Sequence, residues 1–138
     1  MEQQVELRKV FGDVFFTARR IERGSILYAQ WYGVQSVETV KEGACKLLEM
    51  IKEIPCNKLL NCNKNVVGSW DMALDWVENI WTPQMKAAGL RYVAQVFPTS
   101  IYATMSIESL IQRIDKEFEI RIFEHFEEAE TWLLSIDG

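Results

Sequence analysis

The sequence predicts an α/β fold: a mixed, largely parallel sheet of about five strands with about four helices, in the order β-β-α-β-α-β-α-β-α. Three observations carry that expectation. Two runs rich in aromatic and β-branched residues, 14–18 and 26–32, flank a polar turn at Arg23, Gly24 and Ser25, the pattern of an antiparallel hairpin. Beyond Gly33, stretches with apolar residues at three- and four-residue steps alternate with short apolar runs. Such alternation favours right-handed crossovers between parallel strands, with the first strand pairing antiparallel at one side.

The elements follow in order. After the hairpin, Val37, Val40, Ala44, Leu47, Leu48, Ile51 and Ile54 form one buried helical stripe, capped by Ser36 and stopped by Pro55. A strand over 59–62 leads into a polar loop at 63–67. A second helix then starts at Ser69, with Trp70, Ala73, Leu74, Val77 and Trp81 on one face. Pro83 inside a helix costs about 3 kcal/mol, which predicts a break at Thr82, with Thr82 capping a further short turn closed by Gly89. Residues 92–97 read as a third buried strand ended by Pro98. Ser106 caps a helix whose face is Ile107, Leu110, Ile111 and Ile114, and 119–123 alternates like a strand. The last helix carries Ala129, Trp132, Leu133 and Ile136.

At 138 residues and 49% hydrophobic content, the chain suits one domain over 1–138 with one core. A net charge of -5, with Glu124, Glu127, Glu128 and Glu130 gathered near the end, argues against nucleic acid or an anionic membrane face as partner. Cys45, Cys56 and Cys62 are too few and too irregularly spaced for a disulfide framework or a zinc site, and read as reduced thiols. The stretch from Met1 to Glu6 lacks the basic start and apolar run of a secretory signal. No apolar run approaches the ~20 residues of a membrane span, so the expected setting is the cytoplasm.

The junction from Lys58 to Asp71 stands out as a strand, a polar loop and a helix start. A helix start offers unpaired backbone N–H groups and a favourable dipole end, which makes this the place for an anion, a phosphoryl group or a partner loop. The candidate partner-binding or regulatory residues are Asn63, Lys64, Asn65, Gly68, Ser69, Trp70 and Trp76. Trp70 and Trp81 share the buried stripe, whereas Trp76 lies off it, covering a second apolar surface with Ile80 or belonging to an exposed patch.

Gly68-Ser69-Trp70 after the middle strand, the aromatic-rich helix behind it, and the closing run Phe-Glu-His-Phe-Glu-Glu-Ala-Glu-Thr-Trp-Leu at 123–133 resemble the SpoIIAA-like superfamily. That is the fold of STAS domains, and the motifs are closest to its bacterial STAS/SEC14-like branch. The resemblance implies a non-catalytic regulatory module that engages a protein partner, or a binder of a small or lipid-like ligand. In anti-sigma-factor antagonists of this superfamily a serine at the middle strand-to-helix junction accepts a phosphoryl group. The counterpart here is Ser69, but no acidic residue leads into it, and a plain helix cap explains it as well.

The leading expectation is therefore a non-catalytic interaction module with a protein partner. The alternative is a carrier of a small apolar ligand, in a cavity opening beside Trp31, Tyr32, Trp76 or Trp81 and measuring about 300 Å³ or more. Asp71, Asp75 and Glu78 fall on one helix side within reach of a hard cation, though a solvated acidic face accounts for them, and no metal or other cofactor is expected. The single histidine, His125, and seven scattered glycines supply no nucleophile–base pair and no phosphate loop, so no enzymatic activity is expected. A homodimer is plausible from the sequence through the hairpin's outer strand, read as an open edge.

Overall fold

The computed structural model describes residues 3–137; the reading of the chain start at Met1 and Glu2, and the last glycine, Gly138, lie outside the described residues. Six strands form one sheet in sequence order: β1 Gln4–Arg8, β2 Val14–Ile21, β3 Ile26–Val34, β4 Lys58–Val67, β5 Tyr92–Val96 and β6 Glu119–Phe123. The pairs β1·β2 and β2·β3 are antiparallel, and β3·β4, β4·β5 and β5·β6 are parallel. The sequence order and the mixed, mostly parallel character agree with expectation. The additional strand is β1, which covers the outer strand of the hairpin and takes its place as the edge of the sheet.

Helix α1, Val37–Glu53, starts on a capping box: Ser36 Oγ accepts the Thr39 N–H at 3.1 Å and Thr39 Oγ1 accepts the Ser36 N–H at 2.8 Å. Its far end is closed by the buried Arg20 of β2, whose guanidinium donates to the carbonyls of Met50, at 3.0 Å, and Ile54. Gly43 makes the close approach of α1 to the sheet feasible. A Cβ there would stand 2.4 Å from Trp31 Cη2 and 2.9 Å from Phe16 Cδ1.

Helix α2, residues 71–87, is unbroken at Thr82. It begins as a 3-10 turn, Asp71–Ala73, and widens into a π turn, Val77–Trp81, where the Thr82 N–H donates to the Val77 carbonyl five residues back. Thr82–Ala87 then continues as α-helix with Pro83 in its first turn. The wider ring absorbs the clash that a proline imposes on the preceding turn, which is why the expected break is absent. Thr82 caps nothing: it is 1% exposed, and its Oγ1 is the one buried side-chain polar atom without a hydrogen-bond partner among the described residues.

Helix α3, Ile101–Ile114, is capped by Ser100, whose Oγ accepts the Ala103 N–H at 3.4 Å. Ser106, expected as the cap, lies one and a half turns inside, fully buried. Helix α4, Phe126–Leu134, closes the chain. One sheet face packs against α1, α2 and α3 in the larger core, with Phe16, Leu27, Leu47, Ile51, Leu59 and Ile107 at its centre. The other carries a smaller cluster in which Tyr28, Leu60, Cys62 and Val96 lie under Ala129 and Leu133 of α4.

The polar loop expected at 63–67 is strand. β4 runs on to Val67, paired with the extended end of β3 through Tyr32↔Asn65, Gly33↔Val66 and Val34↔Val67. Between Gln30↔Cys62 and Tyr32↔Asn65 the register slips by one residue, so β4 holds a bulge at Asn63 and Lys64. The bulge resets the inside–outside alternation, and both Asn63 and Val66 end up buried on the helix-covered side.

Candidate functional site

Two features stand out, one at the C-terminal ends of β3 and β4 and one between the sheet and the helices. The first is the bend 68–70. Gly68, at φ +78°, turns the chain in a conformation that favours glycine, and its N–H donates to Ser100 Oγ at 3.2 Å. Ser106 Oγ accepts the Trp70 N–H at 3.0 Å and donates to Asp71 Oδ1 at 2.7 Å. Ser69 Oγ accepts the Asp71 N–H at 3.2 Å and lies 3.3 Å from Ser106 Oγ. The amides of Gly68, Trp70 and Asp71 are thus taken by serine hydroxyls, and a carboxylate stands among them. The unpaired N–H groups expected to receive an anion at this junction are already engaged. Ser69 is not the N-cap either, a position held by Trp70 with no side-chain cap bond.

Around this bend gathers an apolar rim. Lys9 Nζ donates to the Val34 carbonyl at 3.0 Å and ties the 9–13 turn to the end of β3, beside the Val34↔Val67 pair. Val10 and Phe11 in that turn are 98% and 96% exposed. With Val34, Val67, Met72, Ile101, Tyr102 and Met105 they make eight of the twelve exposed large hydrophobics among the described residues, all at one end of the sheet.

The second feature is a cavity of about 70 Å³ between the sheet and helices α1, α2 and α3. Trp31, Trp70, Trp81, Leu110, Ile114 and Phe118 give it apolar walls, and no charged residue lines it. Its polar side is a relay of side chains: Trp31 Nε1 donates to Asn61 Oδ1 at 2.8 Å, and Asn61 Nδ2 donates to Gln95 Oε1 at 3.0 Å. Asn63 Nδ2 donates to the same Gln95 oxygen at 2.8 Å and to the Val96 carbonyl at 3.3 Å. Gln35, on the loop before α1, also lines the cavity. Its Nε2 donates to the Tyr32 carbonyl at 3.0 Å and its Oε1 accepts from Thr39 Oγ1 at 2.9 Å.

The residues singled out in the sequence are thereby distributed. Gly68, Ser69 and Trp70 form the bend, although the Trp70 ring turns inward to line the cavity. Lys64 and Asn65 are exposed strand residues beside it, whereas Asn63 is 4% exposed and faces inward, in ordinary alternation with Asn61. Trp31 and Trp81 line the cavity, while Tyr32 and Trp76 do not. Trp81 Nε1 donates to the Ala44 carbonyl at 2.7 Å and pins α2 to α1. Trp76 packs half-buried against the larger core, with Lys41 Nζ 5.8 Å above its ring, and Ile80 is exposed. His125 precedes α4, exposed and without a side-chain cap bond.

Asp75 and Glu78 are bridged by Arg113 at 2.7 and 3.2 Å, and the hydrogen bond that Arg113 donates to Asp75 holds the guanidinium proton more firmly than usual. Asp71 accepts from Ser106 instead. The three acidic groups therefore have protein partners, and no cluster of three or more His, Cys, Asp or Glu side chains among the described residues could hold a metal. No helix among the described residues is long and apolar enough to cross a membrane.

Asn61 and Gln95, the centre of the relay, escaped the sequence reading. Their signal was a polar amide at an inward strand position within an apolar run, Leu59-Leu60-Asn61-Cys62 and Val93-Ala94-Gln95-Val96, where a buried polar group is the informative observation. No protein-family model matches the chain, and no curated protein matches it.

Proposed function

We propose that this protein is a non-catalytic interaction module of STAS-like type that docks a protein partner on the apolar rim around the bend 68–70. The observation that carries the reading is the gathering of Val10, Phe11, Val34, Val67, Met72, Ile101, Tyr102 and Met105 at one end of the sheet. Soluble chains rarely leave so many large apolar groups together unless another surface covers them. A protein surface with its own apolar centre suits the rim better than nucleic acid, since the chain carries a net charge of -5. Ser69 is exposed and its Oγ bonds the Asp71 N–H, which supports a regulatory role for it in such docking. A phosphoryl group there would add up to about two negative charges at the centre of the patch.

The test is quantitative capture of partners from an extract of the source organism on immobilised protein. Specifically enriched proteins are expected to fall about tenfold or more with an Ile101→Asp, Met105→Asp double variant, and also with Ser69→Asp, at unchanged circular dichroism. An identical enriched set on all three proteins would move the docking surface elsewhere.

A further inference from the structure

We propose that the cavity between the sheet and helices α1, α2 and α3 binds one compact, uncharged carbonyl compound, whose oxygen accepts a hydrogen bond from Gln95 Nε2. This site is separate from the rim. The argument starts at Trp31, whose indole N–H can only donate and so fixes Asn61 with Oδ1 toward it. Asn61 Nδ2 must then point away, to Gln95. The Val96 carbonyl likewise orients Asn63, whose amide nitrogen also donates to Gln95. Two donors converge on one end of the Gln95 amide, so that end is Oε1 and the other is the NH2 group. A flipped Gln95 would set donor against donor twice.

Gln95 is 5% exposed and lines the cavity, and its Nε2 has no hydrogen-bond partner among the described residues. Unlike Thr82 Oγ1, this nitrogen is not sealed in by protein but opens onto the cavity. The relay thus ends on a donor that an occupant of the cavity would satisfy, and the occupant must accept.

Charge, size and shape narrow the class. No charged residue lines the cavity, so an anion would lose its hydration with nothing to replace it. The volume of about 70 Å³ is several times the roughly 10–15 Å³ that one water needs, and well under the roughly 300 Å³ at which drug-sized pockets begin. A handful of non-hydrogen atoms fits. The amides of Asn61, Asn63 and Gln95 stand on the sheet, the Gln35 amide is already bonded to Tyr32 and Thr39, and Trp70, Trp81, Leu110, Ile114 and Phe118 present apolar surface. Buried water seeks two to four polar partners, whereas a molecule with one carbonyl and an otherwise apolar body matches these walls.

The experiment titrates the ¹⁵N-labelled protein with cyclopentanone, and with cyclopentane as the apolar probe of the same shape. Expected are a shift of the Gln95 side-chain NH2 resonances, a change in tryptophan fluorescence, and ketone binding about tenfold tighter than hydrocarbon. Gln95→Glu keeps an acceptor toward Asn61 and Asn63 while removing the amide donor, and is expected to abolish the preference for the ketone. The Ile101→Asp, Met105→Asp variant is expected to bind the ketone like the wild type, which keeps this site and the rim separately testable. Equal affinity for the two probes, a Gln95 amide unmoved at saturating ketone, or no binding of either probe, as for a cavity that holds only water, would each overturn the proposal. These outcomes are read on the wild-type protein and stand even if Gln95→Glu fails to fold.

Discussion

At the scale of single residues, side-chain burial and hydrogen bonding do not always agree, and Thr82 is where they part. Its methyl packs in the core while Oγ1 has no partner among the described residues. Thr82→Val keeps the shape and removes the unpaired hydroxyl. Urea unfolding is expected to show the variant more stable than the wild type by about 1 kcal/mol. Residue identity alone could not reveal this, because threonine before proline reads as a cap, and only the π turn shows that it is not. Asn63 is a similar case. Read among Asn, Lys and Asn it belongs to a polar loop, and what buries it is the continuation of β4 beside β3, which keeps it on the inward face with Asn61.

At the scale of elements, the local signals in the chain were reliable wherever a single segment decides its own form. Ser36 and Pro55 bracket α1 as read, the runs at 14–18, 26–32 and 119–123 lie on strands, and that at 92–97 outruns its strand by one residue, Phe97. The misses came where a neighbour decides. β1 exists because β2 offers it an edge, β4 outlasts its apolar run because β3 extends beside it, and Ser106 is drawn inside to bond the bend. The cavity relay was illegible for the same reason, since it joins residues of β3, β4 and β5 that only the register brings together. Packing of α1 on the sheet depends on such a neighbour too. Gly43→Ala gains about 1 kcal/mol in helix propensity yet drives a methyl to 2.4 Å from the Trp31 ring, which is itself held by Asn61. Overpacking of this kind costs about 1–3 kcal/mol. Thermal unfolding is expected to show a net loss of about 1 kcal/mol, with altered tryptophan fluorescence as Trp31 shifts.

At the scale of the whole molecule, the helix layers divide the ionisable groups unevenly. Burial, reinforced by Cys62 and Tyr32 and opposed by Arg19, pushes the Tyr28 phenol up to about 12 from its ordinary 10.0. Burial also raises the Cys62 thiol above its usual 9.0, against a hydrogen bond from the Lys64 backbone. Folding thus holds both protons more tightly than the unfolded chain does. The associated stability is complete below the unfolded values and drains away as pH climbs, between about 10 and 12 for Tyr28. Denaturant midpoints measured from pH 8 to 12 are expected to fall across that window, and Tyr28→Phe is expected to flatten the upper part of the fall. Tyr28 and Cys62 both sit in the smaller cluster beneath Ala129 and Leu133, while the tryptophan-lined chamber on the opposite side has no titrating wall. The alkaline strain therefore falls on the face that the C-terminal helix covers, and not on the chamber beneath the other three helices.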